Sequence, residues 1–147
     1  MKRISLLCIL FVAMSVVKAQ SEKQIILSDK VNLKIELADN YRRTPLSHDE
    51  VKLADSLVAK YLLDNHDKYS WTKKVDDYYD YYRQYAGYIA GSKMVFINAF
   101  RHKPDTFTDE FLHETLVSAR GGGSSFFTIK VNIQSMVCSD LRVNAPK

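Results

Sequence analysis

The chain has 147 residues, of which 21 are lysine or arginine and 17 are aspartate or glutamate, giving a formal net charge of +4. Lys2, Arg3 and Lys18 lie in an N-terminal segment without acidic residues, so the rest of the chain is close to neutral. Nucleic-acid binding needs a basic stripe, whereas the remaining basic residues are scattered. The composition therefore excludes nucleic acid as an expected partner.

The N-terminal segment has the three parts of an export signal. A basic start precedes an apolar run from Ile4 to Val17, and the small residue Ala19 follows Lys18. This pattern predicts a signal over residues 1–19 that is cleaved after Ala19, and a secreted or periplasmic protein. Because the apolar run is shorter than the ~20 residues that span a bilayer, we expect no stable membrane span after signal removal.

Residues 20–147 predict a single domain, because their number suits one hydrophobic core and no linker or repeat divides them. The two cysteines of the full chain are Cys8, inside the predicted signal, and Cys138. The mature chain therefore has no internal disulfide. Cys138 lies in a β-like stretch and is either a buried small residue or a thiol that pairs between molecules.

Two elements are predicted in the first half of the mature chain. Apolar and polar residues alternate from Val31 to Leu37, which predicts a half-buried edge strand. Ser47 and Glu50 then form a capping-box pattern, and the apolar residues that follow recur at spacings of three and four. We expect a helix over Asp49 to Asn65.

The middle of the chain predicts a β-hairpin. A charged loop over Asp67 to Asp77 contains the single tryptophan, Trp71, whose indole we expect to pack on the helix or on the sheet edge. The tyrosine-rich stretch from Tyr78 to Ala90 predicts a strand, Gly91-Ser92 a turn, and Met94 to Phe100 a second strand.

The C-terminal third predicts a short helix or turn over Thr108 to Val117 and a second hairpin over Phe126 to Ile133 and Val137 to Val143. Gly121 to Gly123 predict a tight bend beside the sheet. The order is strand, helix, hairpin, connection and hairpin. It favours an α+β fold with one main helix packed on a curved antiparallel sheet of four to five strands.

Two stretches resemble a group of small exported proteins of Bacteroidetes that have no assigned activity. The matching residues are Tyr82–Tyr88 with Val95–Asn98, and Gly121–Phe127 with Leu141–Asn144. The resemblance covers the C-terminal half and implies origin and export, but no reaction. The order of strands and helix is also similar to cystatin-like folds, an analogy of shape and not of protease inhibition.

No set of catalytic or metal-binding residues is complete. His113-Glu114 begins like a zinc-binding helix, but position 117, one turn later, is Val117 instead of a second histidine. The acidic cluster that includes Asp80 lacks the glycine turn of a calcium loop. We therefore predict no enzyme, no cofactor and no metal ion.

Six of the nine tyrosines lie between Tyr78 and Tyr88. Strand alternation would place Tyr78, Tyr82 and Tyr88 on the sheet face that a single helix leaves open, with Arg83 or Gln84 nearby. An exposed aromatic face suits partner recognition. The alternative is that these tyrosines fill a half-buried sheet with their hydroxyls in water. The candidate partner-binding residues are Tyr78, Tyr82, Arg83, Gln84 and Tyr88.

These features favour an exported, non-catalytic domain that binds an extracytoplasmic protein, peptide or glycan through its aromatic sheet face. One alternative is a periplasmic immunity or inhibitor protein that neutralises a toxin. Another alternative is a small hydrolase of unrecognised type that uses His113, Glu114 or Asp80.

Overall fold

The computed structural model describes residues 22–37, 40–68 and 74–146. The predicted export signal and Trp71 lie outside these residues. Among the helices of the described part of the chain, none combines the length and apolar character needed to cross a membrane.

A six-stranded, mostly antiparallel sheet forms the centre of the molecule. The strand order is β1-β3-β4-β5-β6, with β2 also paired to β3, and β1 runs parallel to β3. With one main helix, this confirms the predicted α+β class, although the sheet has more strands than the four to five expected. The strands are β1 (Gln24–Ile26), β2 (Arg42–Arg43), β3 (Tyr82–Ala90), β4 (Ser92–Phe100), β5 (Phe126–Asn132) and β6 (Val137–Val143).

The main helix, α1, covers His48–Asp64 and confirms the predicted helix. The Ser47 hydroxyl accepts the backbone N–H of Glu50 at 3.2 Å, and the Glu50 carboxylate accepts the N–H of Ser47 at 2.8 Å. This is the predicted capping box, which satisfies two otherwise unpaired donors. We name the sheet face under α1 the helix face. The helix buries Val51, Ala54, Val58 and Leu62 against it.

The opposite sheet face, here named the loop face, is covered by irregular chain. One covering segment is 27–37, and the other is 112–117, which begins inside the short helix α2 (Asp109–Glu114). Both segments bury apolar side chains, so the two faces of β3 and β4 are closed by different means. The buried apolar residues of the covering segments are Leu27, Val31, Leu33, Leu37, Leu112 and Val117.

The predicted strand over Val31 to Leu37 is wrong, because this segment forms turns. The side-chain carbonyl of Asn32 accepts the backbone N–H of Lys34 at 3.0 Å. Asparagine favours such local turns because its side chain replaces a backbone hydrogen bond. Burial does not follow the alternating sequence pattern either, since Ile35 is 94% exposed.

The middle hairpin is confirmed, but its first strand starts later than predicted. Tyr78–Asp80 form one turn of 3-10 helix, and Asp77 before it has a left-handed φ of 46°. This turn breaks the alternation, so the Tyr78 side chain joins the core of the helix face. Gly91, with φ 74°, makes the turn between β3 and β4.

Two glycine positions have clear steric reasons. Gly122 has a φ of 91°, and it confirms the tight bend predicted before β5. Gly87, in β3, lies against the chain that follows β2. A Cβ atom there would lie 2.5 Å from the carbonyl oxygen of Thr44 and 2.8 Å from Cγ of Leu46. Glycine therefore lets this chain approach the sheet closely.

The C-terminal hairpin of β5 and β6 is confirmed and contains a bulge between Thr128 and Lys130. Asp140 stands in β6 at this bulge with a left-handed φ of 53°. Its carboxylate accepts hydrogen bonds from Lys130 at 2.6 Å and from Arg142 at 3.0 Å. Burial alone would raise the pKa of Asp140, but these two bonds outweigh it and lower the pKa.

Candidate functional site

Four of the five predicted partner-binding residues are buried. Their exposed fractions are 5% for Tyr78, 0% for Arg83 and Gln84, and 4% for Tyr88, whereas Tyr82 is half-buried. The expected exposed aromatic face is therefore wrong. Irregular chain covers the loop face, and the 3-10 turn directs Tyr78 to the helix face.

Arg83 and Tyr78 belong to a polar cluster beneath α1, centred on the buried carboxylate of Asp55. Oδ1 of Asp55 accepts the hydroxyls of Tyr78 and Tyr85, each at 2.7 Å. Oδ2 accepts the side-chain amide of Gln24 at 2.8 Å and lies 3.8 Å from Nε of Arg83. The cluster joins α1 to β1 and β3.

The ionisation of this cluster fits a structural role. Burial, with the negative charge of Asp55 nearby, raises the pKa of Tyr78 and Tyr85 well above 10.0. Burial alone would lower the pKa of Arg83, but Tyr85 and Asp55 outweigh this and raise it. Both tyrosines thus stay protonated as donors to Asp55. We infer that the cluster fastens α1 to the sheet.

Gln84 is engaged entirely by protein groups on the loop face. Its Nε2 donates to the carbonyls of Leu112 at 2.7 Å and Thr115 at 2.8 Å. Its Oε1 accepts the N–H of Val117 and the side-chain amide of Asn98, each at 2.9 Å. Both donors and both acceptor sites are used, so Gln84 has no capacity left for a ligand.

A groove between β1 and α2 reaches Tyr82, the remaining candidate. Its volume is about 560 Å³, which lies within the range of small-molecule and cofactor sites. Ile25, Tyr82 and Leu112 supply the apolar part of the lining. The Tyr82 ring stacks on Phe100 with the centroids 5.6 Å apart, which fixes its orientation.

The edge of β1 brings backbone polar groups to this groove. Parallel pairing directs the N–H and C=O of Ile25 toward β3, and those of Gln24 and Ile26 away from it. Nδ1 of His113 lies 2.7 Å from the Ile26 carbonyl oxygen, and the His113 carbonyl accepts the N–H of Ser28 at 2.8 Å. Since a carbonyl can only accept, Nδ1 carries the hydrogen and Nε2 is the acceptor of the neutral ring.

Charges of both signs line the groove at different degrees of exposure. Nζ of Lys103 lies 3.5 Å from the carboxylate of Asp109, yet the Lys103 side chain is 27% exposed and that of Asp109 is 91% exposed. Lys23 is half-buried and donates to the carbonyl of Asp80 at 3.0 Å, whereas Glu22 is exposed. The two lysine side chains are therefore less exposed than Asp109 and Glu22.

The side chains weighed for catalysis are not assembled. His113 lines the groove, whereas Glu114 and Asp80 are not among its lining residues. In the described part of the chain, no three or more histidine, cysteine, aspartate or glutamate side chains form a group that could hold a metal ion. Cys138 is half-buried beside the helix-face core, and burial raises its pKa to about 11.

Sequence reasoning missed most of the groove residues. Lys23 and Gln24 belong to a polar stretch without periodicity, and Lys103 lies in a predicted loop. The helix pattern around Thr108 is the one signal nearby, and it is confirmed by α2 with Thr108 as its N-cap. That signal places Asp109 on a helix but says nothing about its proximity to β1.

Comparison of the chain with protein-family models, with curated proteins and with solved structures gave no match. The resemblance to exported Bacteroidetes proteins and the analogy to cystatin-like folds therefore stay predictions.

Proposed function

We propose that the protein is an exported, non-catalytic binding domain that holds an extracytoplasmic protein or peptide in the groove between β1 and α2. The observation that carries this proposal is the combination in one groove of a strand edge, an aromatic ring and charged side chains. The site differs from the aromatic sheet face expected from the sequence, because that face is covered.

The lining favours a peptide over a sugar. The Tyr82 ring is stacked on Phe100, and the ammonium of Lys23 lies over the ring, 5.7 Å from its centroid. Phe100 and Lys23 would thus compete with a sugar for stacking on this ring. The outward backbone groups of Gln24 suit the N–H and C=O groups of an extended peptide.

Binding without chemistry fits the surroundings of His113. Its imidazole is held by the Ile26 carbonyl, and neither Glu114 nor Asp80 lines the groove with it. A general acid–base mechanism needs a second group within hydrogen-bond reach of the reacting atoms. The proposal therefore gives His113 a part in recognition.

Site-specific photo-crosslinking tests the proposal. A benzophenone amino acid is introduced by Asp109→p-benzoylphenylalanine at the exposed rim of the groove, and by Ser56→p-benzoylphenylalanine on the outer side of α1 as a control. Each variant is irradiated in cells that produce and export the protein. We expect a discrete crosslinked product from position 109 and none from position 56. The same products from both positions, or none from position 109, would overturn the groove as the binding site.

A further inference from the structure

We propose that the groove selects an extended peptide segment that carries acidic side chains. This inference rests on the proposed function and adds the chemical class of the partner. The observation behind it is the unequal exposure of the charged groups around Tyr82. Lys23 and Lys103 are partly buried, whereas Glu22 and Asp109 are exposed.

Lys103 is the central residue of this charge arrangement. Its side chain is mostly enclosed, and its one ion-pair partner among the described residues, Asp109, is almost fully exposed at the first position of α2. Water screens an exposed carboxylate strongly, so Asp109 neutralises Lys103 only in part. Lys23, on the opposite wall, donates to a backbone carbonyl, which carries no net charge. A carboxylate that enters the groove would therefore be attracted by the Lys103 ammonium, whose charge is only partly neutralised, and by the ammonium of Lys23.

The strand edge sets the conformation of the bound segment. Gln24 directs its backbone outward, whereas the carbonyl of Ile26 is already taken by His113. A peptide can therefore pair with β1 only over a short stretch. Such a contact gives little sequence selectivity, since backbone groups are common to all peptides. Selectivity must come from side chains, and the two partly buried lysines favour aspartate or glutamate.

Titration of the purified, isotope-labelled protein with three blocked hexapeptides tests this inference. The probes are acetyl-AEAEAE-amide, acetyl-AQAQAQ-amide and acetyl-AKAKAK-amide, and the readout is the backbone amide spectrum. We expect the acidic peptide to bind at least about tenfold more tightly than the neutral one, the difference expected from one charge-assisted contact. We also expect it to shift the signals of Gln24, Ile26 and His113.

Charge-reversal variants identify the groups responsible. Lys103→Glu should weaken binding of the acidic peptide by about tenfold or more, and the double variant with Lys23→Glu should favour the basic peptide. Lys52→Glu, on the exposed side of α1, makes the same charge change away from the groove and should leave the affinity unchanged. The amide spectra of the free variants show whether each one is folded.

Every outcome bears on one of the two proposals. If the three peptides bind the groove equally, or if Lys52→Glu weakens binding as much as Lys103→Glu, acidic selection is wrong while a peptide-binding groove survives. If only a chondroitin sulfate hexasaccharide shifts the groove signals, the partner is an anionic glycan and the peptide inference is overturned. If no probe shifts them and position 109 gives no crosslink, the proposed function fails as well.

Discussion

The two faces of the central sheet are closed by different physical devices. On the helix face, α1 satisfies its own backbone hydrogen bonds, so the sheet needs to offer it only apolar side chains and the Asp55 cluster. On the loop face, the covering segments have backbone groups that no regular structure satisfies. Side chains from the sheet provide the missing partners.

Three polar residues perform this task on the loop-face side. Gln84 and Asn98 bind the backbone of segment 112–117, and Arg43 donates to the carbonyls of Val31 at 3.2 Å and Leu27 at 3.1 Å. On this face, the buried polar side chains of Gln84 and Asn98 therefore mark where irregular chain packs on the sheet. We therefore expect substitutions on the helix face to destabilise the whole domain, and substitutions on the loop face to destabilise mainly the covering segments.

The largest effect is expected from Asp55→Ala. The substitution leaves Arg83 as a buried charge without its carboxylate and removes the acceptor of two tyrosine hydroxyls. We expect the free energy of unfolding to fall by about 4 kcal/mol, measured by urea denaturation. Asp55→Asn is the control and should cost less, because it keeps an acceptor oxygen. Equal losses for the two variants would show that the missing carboxylate charge accounts for the whole effect and that the acceptor oxygen kept by asparagine contributes nothing.

Gln84→Leu should have a smaller and more local effect. It leaves the carbonyls of Leu112 and Thr115 and the N–H of Val117 without their partner. We expect a loss of about 3 kcal/mol in unfolding free energy. Amide hydrogen exchange should accelerate in 112–117 more than in β4. Uniform acceleration throughout the sheet would contradict the local character assigned to the loop face.

Alkaline pH should weaken the helix face through its tyrosines. Burial and Asp55 hold the pKa of Tyr85 well above 10.0, whereas an unfolded tyrosine titrates near 10.0. Above that pH the unfolded chain binds fewer protons than the folded one, so stability is complete below about pH 10 and falls as the pH rises toward the folded pKa. The slope is about 1.4 kcal/mol per pH unit for each such tyrosine.

Tyr85→Phe tests the alkaline prediction. Because it removes one titrating group, the slope of unfolding free energy against pH should fall by the contribution of one proton. Urea denaturation is repeated between pH 9 and pH 11, which brackets the pKa of about 10 of a free tyrosine. Tyr88, on the loop face, has its pKa raised to about 12 by burial and by Asp140, so part of the slope should remain. An unchanged slope would show that the Tyr85 hydroxyl ionises equally in the folded and unfolded states.

A smaller effect than these is expected from Ser47→Ala at the start of α1. It removes the acceptor of the Glu50 N–H, and N-cap losses of this kind cost about 1 kcal/mol. Thermal unfolding should show a modest decrease in Tm with the same cooperativity. Thr108→Ala makes the matched change at the N-cap of α2, where Thr108 accepts the N–H of Phe111. That loss should be confined to the loop face and should leave the Tm nearly unchanged.

The helix and the hairpins are predicted from the sequence because each is marked by a pattern of neighbouring residues. The capping box and apolar spacing identify α1, and alternation with turn residues identifies the β3–β4 and β5–β6 hairpins. The strand predicted over Val31–Leu37 fails because alternating burial also arises in turns, and Asn32 favours the turn. One turn of 3-10 helix over Tyr78–Asp80 is enough to place Tyr78 on the face opposite to the predicted one.

The candidate site could not be predicted from local signals because it is made by long-range pairing. Gln24 reaches the groove only when β1 pairs with β3, and Gln84 has partners in a segment that looks like a weak helix in sequence. Gln84 could have been recognised as unusual, since a glutamine within a tyrosine-rich strand must be satisfied if it is buried. Its partners could not have been named.

The bulge at Asp140 affects how copies of this protein meet one another. β6 lies at the end of the sheet opposite to β1. A straight strand at this edge would expose unpaired backbone N–H and C=O groups with which a strand of another molecule could pair. The left-handed residue bends β6, and the ionic contacts of Asp140 with Lys130 and Arg142 place charges beside the bend. Both features disfavour the pairing of a strand from a second molecule with this edge.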